Sequence, residues 1–295
     1  MDELNAYVAG GGSDTVTVID TATNEVIGDV RVGDEPMLVA LSPDRTTLLC
    51  TNRDGMDASV IDTRTLEVRA TVAVQDGASG CGFSSDGSLA YVANEYSHTV
   101  SIIETSSWQA VRHVHVGHGP CELRVVPATG RVVVTNEESH TVAVLDGKTG
   151  ERLRFVVTPE GPLGLDVSGD GAFAIAACFM SSHVWCLDAA TWTVRWRADI
   201  GGSHVGVAIE PGGERAIVTN SDQDHVSVID LASRKESLRM QVGPNPAAVA
   251  LLPHDPSLAY ITIRGADSVA VLDIRRAEVI RTIPVGSSPL GICIG

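Results

Sequence analysis

The chain has 295 residues, of which 44% are hydrophobic but only 4% aromatic, and its formal net charge is −16. The core must therefore be built from Val, Ile, Leu and Ala, which favours packed β-sheets. A polyanion would be repelled unless the chain carried a concentrated basic patch, and no run of Lys and Arg forms one, so nucleic acids and anionic membrane surfaces are excluded as expected partners.

The first ten residues, MDELNAYVAG, contain neither the basic region nor the apolar region of a signal peptide. No stretch of the chain approaches the 18 apolar residues of a membrane span. We therefore expect a cytoplasmic protein, unless a signal was removed before residue 1. The six cysteines include no CxxC pair and mostly lie within apolar strand patterns, which suits a reducing compartment.

The chain opens on a strand at residues 6–10, and a strand of alternating apolar residues then recurs at a fixed interval. The recurrences end on acids at positions Asp20, Asp62, Glu104, Asp146, Asp188, Asp230 and Asp273, which gives a spacing of 42 residues with one step of 43. A period of this length is typical of a repeat architecture in which no unit buries its hydrophobic face alone.

One unit, residues 200–242, contains four short apolar strands separated by turns rich in Gly, Pro, Asp and Asn. This pattern indicates an antiparallel meander, and meanders repeated radially form a β-propeller. The chain begins on a second-strand sequence, residues 6–10, and ends on a first-strand sequence, residues 289–294. We predict an all-β, seven-bladed β-propeller with four antiparallel strands per blade, one domain over residues 1–295, in which the C-terminal strand closes the N-terminal blade.

The repeated strings resemble a known family. Tyr91-Val92-Ala93-Asn94, Val134-Thr135-Asn136 and Val218-Thr219-Asn220 resemble the YVTN motif of YVTN-type seven-bladed propellers. Val226–Asp230 is similar to the companion strand of that family, and Gly243–Pro246 to the segment that leads into the first strand. The resemblance covers the whole chain and implies the fold. Lactonase-type and streptogramin-lyase-type propellers share this architecture, but sites are grafted onto a common frame, so no function follows from the fold.

Functional residues are expected where the repeats stop agreeing. The first residue of the innermost strand is normally Pro, but His204 replaces it once. Two residues further the usual choice is small, yet Glu122 stands there once, preceded by His118 and Cys121. We predict His204, Glu122 and His118 as catalytic residues, with His204 as base or ligand. Two other interpretations stay open: His204 as a neutral polar replacement in a loop, and Glu122 as a carboxylate hydrated by a wet channel.

The loop between the second and third strands is predicted to share the same face of the propeller, the top face. Residues there that could contact a substrate are Arg53, Arg264, Glu95, Glu137 and Phe179. The arginines suit an anionic group. Histidines occur in four consecutive blades at this loop, at His98, His140, His183 and His225. We predict a divalent metal ion held by His204, His98 and His140, although duplication of a polar turn residue also explains the repeated histidines.

Two classes of function fit these residues. The first is a small-molecule enzyme with its active site over the central channel, a lyase or hydrolase that uses metal-assisted or general acid–base chemistry. The second is a non-catalytic propeller that binds a ligand or protein. A redox role with a bound quinone or haem is a third option, without a CxxCH motif to support covalent haem. We expect a monomer, because a closed propeller leaves no edge for strand exchange.

Overall fold

The computed structural model describes residues 4–158, 161–179 and 181–295. These residues form seven four-stranded antiparallel sheets. The predicted seven-bladed β-propeller is therefore confirmed, including the pairing of the C-terminal strand with the N-terminal blade. We number the blades 1 to 7 in chain order, so that blade 1 holds both the first and the last strand.

Each blade runs from an innermost strand at the axis to an outermost strand. The innermost strands of blades 1 to 7 are β28 (Pro289–Ile294), β4 (Pro36–Leu41), β8 (Ala78–Phe83), β12 (Pro120–Val126), β16 (Pro162–Val167), β20 (His204–Ile209) and β24 (Pro246–Leu252). The second strands are β1 (Asn5–Gly10), β5 (Thr47–Asn52), β9 (Leu89–Asn94), β13 (Arg131–Asn136), β17 (Phe173–Cys178), β21 (Arg215–Asn220) and β25 (Asp255–Ile263).

The two outer positions of each blade follow the same order. The third strands are β2 (Thr15–Asp20), β6 (Asp57–Asp62), β10 (Thr99–Glu104), β14 (Thr141–Asp146), β18 (His183–Asp188), β22 (His225–Asp230) and β26 (Ser268–Asp273). The outermost strands are β3 (Glu25–Arg31), β7 (Glu67–Ala73), β11 (Gln109–His115), β15 (Arg152–Val157), β19 (Val194–Asp199), β23 (Lys235–Gln241) and β27 (Glu278–Pro284).

The aspartate that closes the third strand has a local role that recurs with the 42-residue period. In blade 2, the Asp62 carboxylate accepts hydrogen bonds from the backbone N–H groups of Arg64 (3.0 Å) and Thr65 (2.9 Å) in the turn to the fourth strand. Hydrogen bonds from the Thr65 backbone, the largest cause, lower the pKa of Asp62. The same turn is built on Asp146 and Asp230. These aspartates therefore cap the turn to the fourth strand, and they recur because the turn recurs.

The residues of the YVTN-like motif join each blade to the next. The Tyr91 hydroxyl donates to the Gly147 carbonyl of blade 4 at 3.1 Å. The Thr219 hydroxyl donates to the Ala247 carbonyl of blade 7 at 2.6 Å. The motif Asn acts within its own blade, where the Asn94 amide donates to Ser101 at 2.9 Å. Buried apolar clusters fill the space between neighbouring blades.

The last strand closes the ring. In blade 1, β28 pairs antiparallel with β1, and Val8 stands opposite Ile292. The innermost strands pack closely around the axis, and a Cβ added to Gly164 would lie 2.2 Å from the Val205 carbonyl oxygen. This contact explains the small residues at that position. Among the described residues, no helix reaches the length and apolarity needed to cross a membrane.

Candidate functional site

A cavity of about 640 Å³ opens on the top face, over the ends of the innermost strands. Its wall is formed by the residue that follows the second strand in six of the seven blades: Arg53, Glu95, Glu137, Phe179, Ser221 and Arg264. Because these residues hold one repeat position, the propeller brings them to one level around the axis. Its floor includes Leu38, Ser79, Glu122, Leu163, Gly206 and Leu290. A cavity of this volume suits a small molecule.

The cavity has a cationic side formed by blades 7 and 2. Arg53 makes a two-point ion pair with Glu35, with 2.9 Å between Nε and Oε2. Burial raises the pKa of Glu35, but the hydrogen bond and charge of Arg53 outweigh this effect and lower it. Arg264 is exposed and donates from Nε to the Ser288 hydroxyl at 3.1 Å. Within residues 4–158, 161–179 and 181–295, Arg264 forms no ion pair.

The neighbouring blades 3 and 4 give the cavity an anionic side. Glu95 is half-buried, and loss of hydration raises the pKa of its carboxyl group. Arg53 opposes this rise, whereas the carboxylates of Glu137, Glu138 and Glu35 add to it. Glu137 accepts a weak hydrogen bond from the Cys121 thiol, with 3.6 Å between Sγ and Oε2.

The Cys121 thiol is buried beneath these carboxylates. Burial, and then the charges of Glu95 and Glu137, raise the pKa of the thiol well above its usual range. The thiol therefore stays protonated near neutral pH and is a poor nucleophile.

Glu122 lies in the channel beneath the cavity and forms an ion pair with Arg124 of the same strand. Arg124 also approaches Asp166 of the next blade, with 3.5 Å between Nε and Oδ1. The Asp166 carboxylate accepts the Ile209 backbone N–H at 2.8 Å. Burial raises the pKa of Glu122, and Arg124 opposes the rise. Glu122 therefore has an ionic partner two residues along the strand.

His204 does not contribute to the cavity wall, although both of its neighbours do. Its side chain is 0% exposed, and neither ring nitrogen has a hydrogen-bond partner among the described residues. Burial lowers the pKa of the ring. In the same part of the chain, the nearby Asn220 Oδ1 and His225 Nε2 are also buried without such partners. In this conformation, the predicted catalytic residue His204 has no access to a ligand in the cavity.

His98 and His140 stand in the turn before the third strand, both with positive φ. Their Nδ1 atoms accept backbone N–H groups of the next blade's first loop, from Gly119 at 3.2 Å and Gly161 at 3.0 Å. Asp224 does the same for Asn245 in blade 6. These histidines therefore share a structural role with the acids that replace them. His183 and His225, one position later, begin the third strand and face differently, as their spacing predicts.

The structure brings together only some of the predicted metal ligands. His98 approaches His118 of the loop between blades 3 and 4, with 4.4 Å between ring centroids. Glu138 joins them, and the donor atoms of these three side chains all lie within 4.8 Å of one another. The set lies at the rim of the top face and does not line the cavity. No grouping of metal-binding side chains within the described residues includes His204 or His140.

The sequence predicts five residues of the cavity wall but not the charged residues that pair with or lie near the predicted site residues. These are Glu35, Arg124, Asp166 and Glu138. Glu35 departs from the repeat, because blades 3 and 4 have Gly77 and Gly119 at the same position. The backbone φ of Glu35 is 54°, a conformation that residues other than glycine rarely adopt. Arg124 could be inferred from the sequence, because it lies two residues from Glu122 and therefore on the same side of the strand.

The fold is a seven-bladed β-propeller with a cavity on its top face. Residues 70–285 match the model of the YNCE-like beta-propeller family. Because this match spans most of the sequence, the chain belongs to that family, in agreement with the resemblance to YVTN-type propellers. No curated protein matches the chain.

Solved structures with this fold include two named enzymes. Hydrazine synthase of Kuenenia stuttgartiensis is 23% identical, with a TM-score of 0.81 over 88% of this chain and 89% of that one. A functionally unknown protein from Desulfotomaculum acetoxidans is 15% identical, with a TM-score of 0.85 over 98% of each chain. The dihydro-heme d1 dehydrogenase NirN, solved in complex with DHE, is 15% identical, with a TM-score of 0.71 over 98% of this chain and 74% of that one. These likenesses establish the fold.

Proposed function

We propose that the top-face cavity is the active site of a small-molecule lyase or hydrolase that uses general acid–base chemistry. The observation that carries this proposal is the division of charge around one level of the cavity. Arg53 and Arg264 flank one side, Glu95 and Glu137 occupy the next two blades, and Phe179 follows them. The matching substrate carries an anionic group, a proton to be transferred, and an apolar part.

The arginines would hold the anionic group, and Arg264 has the stronger claim because, unlike Arg53, it forms no ion pair with any described residue. Glu95 would transfer the proton, because a raised pKa brings a carboxyl group closer to the working pH of a general acid or base. As a base it would remove a proton next to a carboxylate for elimination, or activate water for lactone opening. The arginines would stabilise the negative charge that develops.

Two of the similar structures are enzymes by name, hydrazine synthase and dihydro-heme d1 dehydrogenase. They support the view that a propeller of this shape serves in enzymes. Their chemistry is not carried over, because identities of 23% and 15% concern the fold alone. A metal-assisted route in the cavity and a redox role both stay predictions.

The test uses two substrate panels with the full chain. One contains lactones that carry a carboxylate, followed by proton release. The other contains carboxylates with a β-leaving group, followed by the absorbance of the unsaturated product. We expect turnover that is lost in Glu95→Gln, by about 100-fold or more, with binding retained. Glu67→Gln, on an exposed outer strand, is the control and should not change the rate.

The pH profile supplies a second signature. If Glu95 is the base, kcat/KM rises with pH through its pKa, which lies above the ordinary carboxyl value. Glu137→Gln removes a neighbouring negative charge and should move this rise to lower pH. A rise that is unmoved by Glu137→Gln would remove Glu95 from the role of base.

The non-catalytic alternative has one observation in its favour. Of the three predicted catalytic residues, His204 is sealed from the cavity and Glu122 is neutralised by Arg124. Under this alternative, a carboxylate ligand binds, Arg264→Ala abolishes binding, and no panel compound is turned over. Absence of both binding and turnover would remove both functions from this cavity.

A further inference from the structure

We propose that His98, His118 and Glu138 form a binding site for a first-row divalent transition metal such as Zn²⁺. Their donor atoms lie within 4.8 Å of one another, close enough to share one ion after small side-chain rotations. The site stands at the rim between blades 3 and 4, outside the cavity, and differs from the predicted set of His204, His98 and His140.

The three side chains come from three separate loops that the backbone already holds together. Ser139 links two of them: its N–H donates to the His118 carbonyl at 3.3 Å, and its hydroxyl accepts the His118 N–H at 3.0 Å. The Glu137 N–H donates to the Gly119 carbonyl at 2.8 Å. The donor groups are therefore brought close before any ion binds, which lowers the entropy cost of binding.

A hydrogen-bond partner behind His98 can fix its tautomer. The Nδ1 atom lies 3.1 Å from the Glu95 carbonyl oxygen and 3.2 Å from the Gly119 backbone nitrogen. Metal binding at Nε2 requires the tautomer in which Nδ1 carries the proton; Nδ1 then gives up the Gly119 N–H and donates to the Glu95 carbonyl instead. A ring N–H held by a backbone carbonyl is the usual support of a metal-binding histidine.

The donor set selects the kind of ion. Two imidazoles and one carboxylate suit Zn²⁺, Co²⁺ or Ni²⁺, whereas Mg²⁺ and Ca²⁺ prefer oxygen ligands throughout. Three protein ligands leave a tetrahedral ion one open position. His118 and Glu138 are both exposed, so this position would face water or an external ligand.

The rim site adjoins the cavity through its loops. Glu138 directly follows Glu137, and the Glu95 carbonyl contacts the His98 ring. A bound ion would thus fix the two loops that carry the cavity carboxylates. The metal site does not depend on the proposed enzymatic function, because its binding is measured without a substrate.

The test is a calorimetric titration of the full chain, freed of metal by a chelator, with Zn²⁺ near neutral pH. We expect one Zn²⁺ per chain and no competition from excess Mg²⁺. His118→Gln and Glu138→Gln should each weaken binding by about tenfold or more, since even a supporting residue around a metal ligand contributes that much. Both side chains are exposed, so the variants should fold, and melting curves check this.

His254→Gln is the matched control, because it removes one exposed histidine from the opposite face of the propeller. It should bind Zn²⁺ as the parent chain does. Absence of Zn²⁺ binding, or equal binding by the parent, His118→Gln and Glu138→Gln, would overturn the proposal. If His140→Gln lost Zn²⁺ binding and His118→Gln kept it, the result would favour the predicted ligands His204, His98 and His140 instead.

Discussion

A buried imidazole without a hydrogen-bond partner costs the folded protein free energy, and neither ring nitrogen of His204 has such a partner within the described part of the chain. An unsatisfied buried polar group typically costs about 1–3 kcal/mol. The Ser182 backbone and the Asn220 side chain lie close and favour the charged ring weakly, as does Asp222, whereas His225 opposes it. Burial dominates and lowers the pKa of His204.

The lowered pKa gives stability a defined pH dependence. Above the ordinary imidazole pKa, about 6.5, His204 is neutral in both the folded and the unfolded chain. As the pH falls below that value, the unfolded chain takes up a proton that the folded chain resists. The contribution of His204 to the free energy of unfolding is therefore full above about pH 6.5 and decreases toward acid.

Replacement of His204 by the residue that the repeat prefers should stabilise the protein. Pro occupies this position in blades 2, 4 and 5, each paired with the second strand as His204 is. We expect His204→Pro to gain about 1–2 kcal/mol and to lose part of the acid sensitivity. Urea unfolding at pH values above and below the imidazole pKa measures both effects. A destabilised variant would show that the His204 side chain makes a stabilising contact in the folded protein.

At the scale of single residues, the sequence predicts the position of a side chain in the repeat but not its direction. Arg53, Glu95, Glu137, Phe179 and Arg264 were predicted at one face, and the shared repeat position does bring them to one cavity. A repeat position fixes the level of the backbone but not the direction of the side chain. This is why His204, at the predicted first position of its innermost strand, is buried away from the cavity, and why His118 lies at the rim.

At the scale of the strand, the YVTN-like motif is a set of connections between blades. Thr51, Thr135, Thr219 and Thr262 each donate to a carbonyl 28 residues further, on the next innermost strand. The alternating apolar residues of the motif predict a strand. The connection between blades could not be predicted from the sequence of one blade, because the carbonyl that accepts the Thr hydrogen bond lies in the next blade.

Removal of one such hydroxyl should be costly. Thr219 accepts the Gly206 N–H at 2.7 Å and donates to the Ala247 carbonyl at 2.6 Å, fully buried. We expect Thr219→Val to destabilise the protein by about 1–3 kcal/mol, because it keeps the shape of the side chain and leaves the Gly206 N–H and the Ala247 carbonyl without the hydroxyl that joins them. Thr71→Val, on an exposed outer strand, is the control for urea unfolding. Equal stability of the two variants would refute this role.

At the scale of the whole molecule, the periodicity of the sequence accounts for the ring. The strand pattern occurs seven times, and the chain begins on a second strand and ends on a first strand. This arrangement is sufficient to predict that β28 completes blade 1. The rim cluster of His98, His118 and Glu138 was not predicted as a set, because it depends on the contact between two blades.

Deletion of residues 289–295 tests the closure. It removes the strand that pairs with β1 and the Leu290 carbonyl that accepts the Thr262 hydroxyl. We expect a lower urea midpoint and self-association through the exposed edge of β1. Light scattering on a sizing column and urea unfolding measure both, and a monomer of unchanged stability would contradict the expectation.

The closing strand also sets the timing of folding. Within blades 2 to 7, strand pairs are neighbours along the chain, so their loops are short and close quickly. The pairing of residue 8 with residue 292 is different, because almost the entire chain separates them. It forms only after residues 8 and 292 have met, which carries a larger loop-closure entropy than the pairing of neighbouring strands. We therefore expect ring closure to be a late step in refolding and blade 1 to be completed after the others.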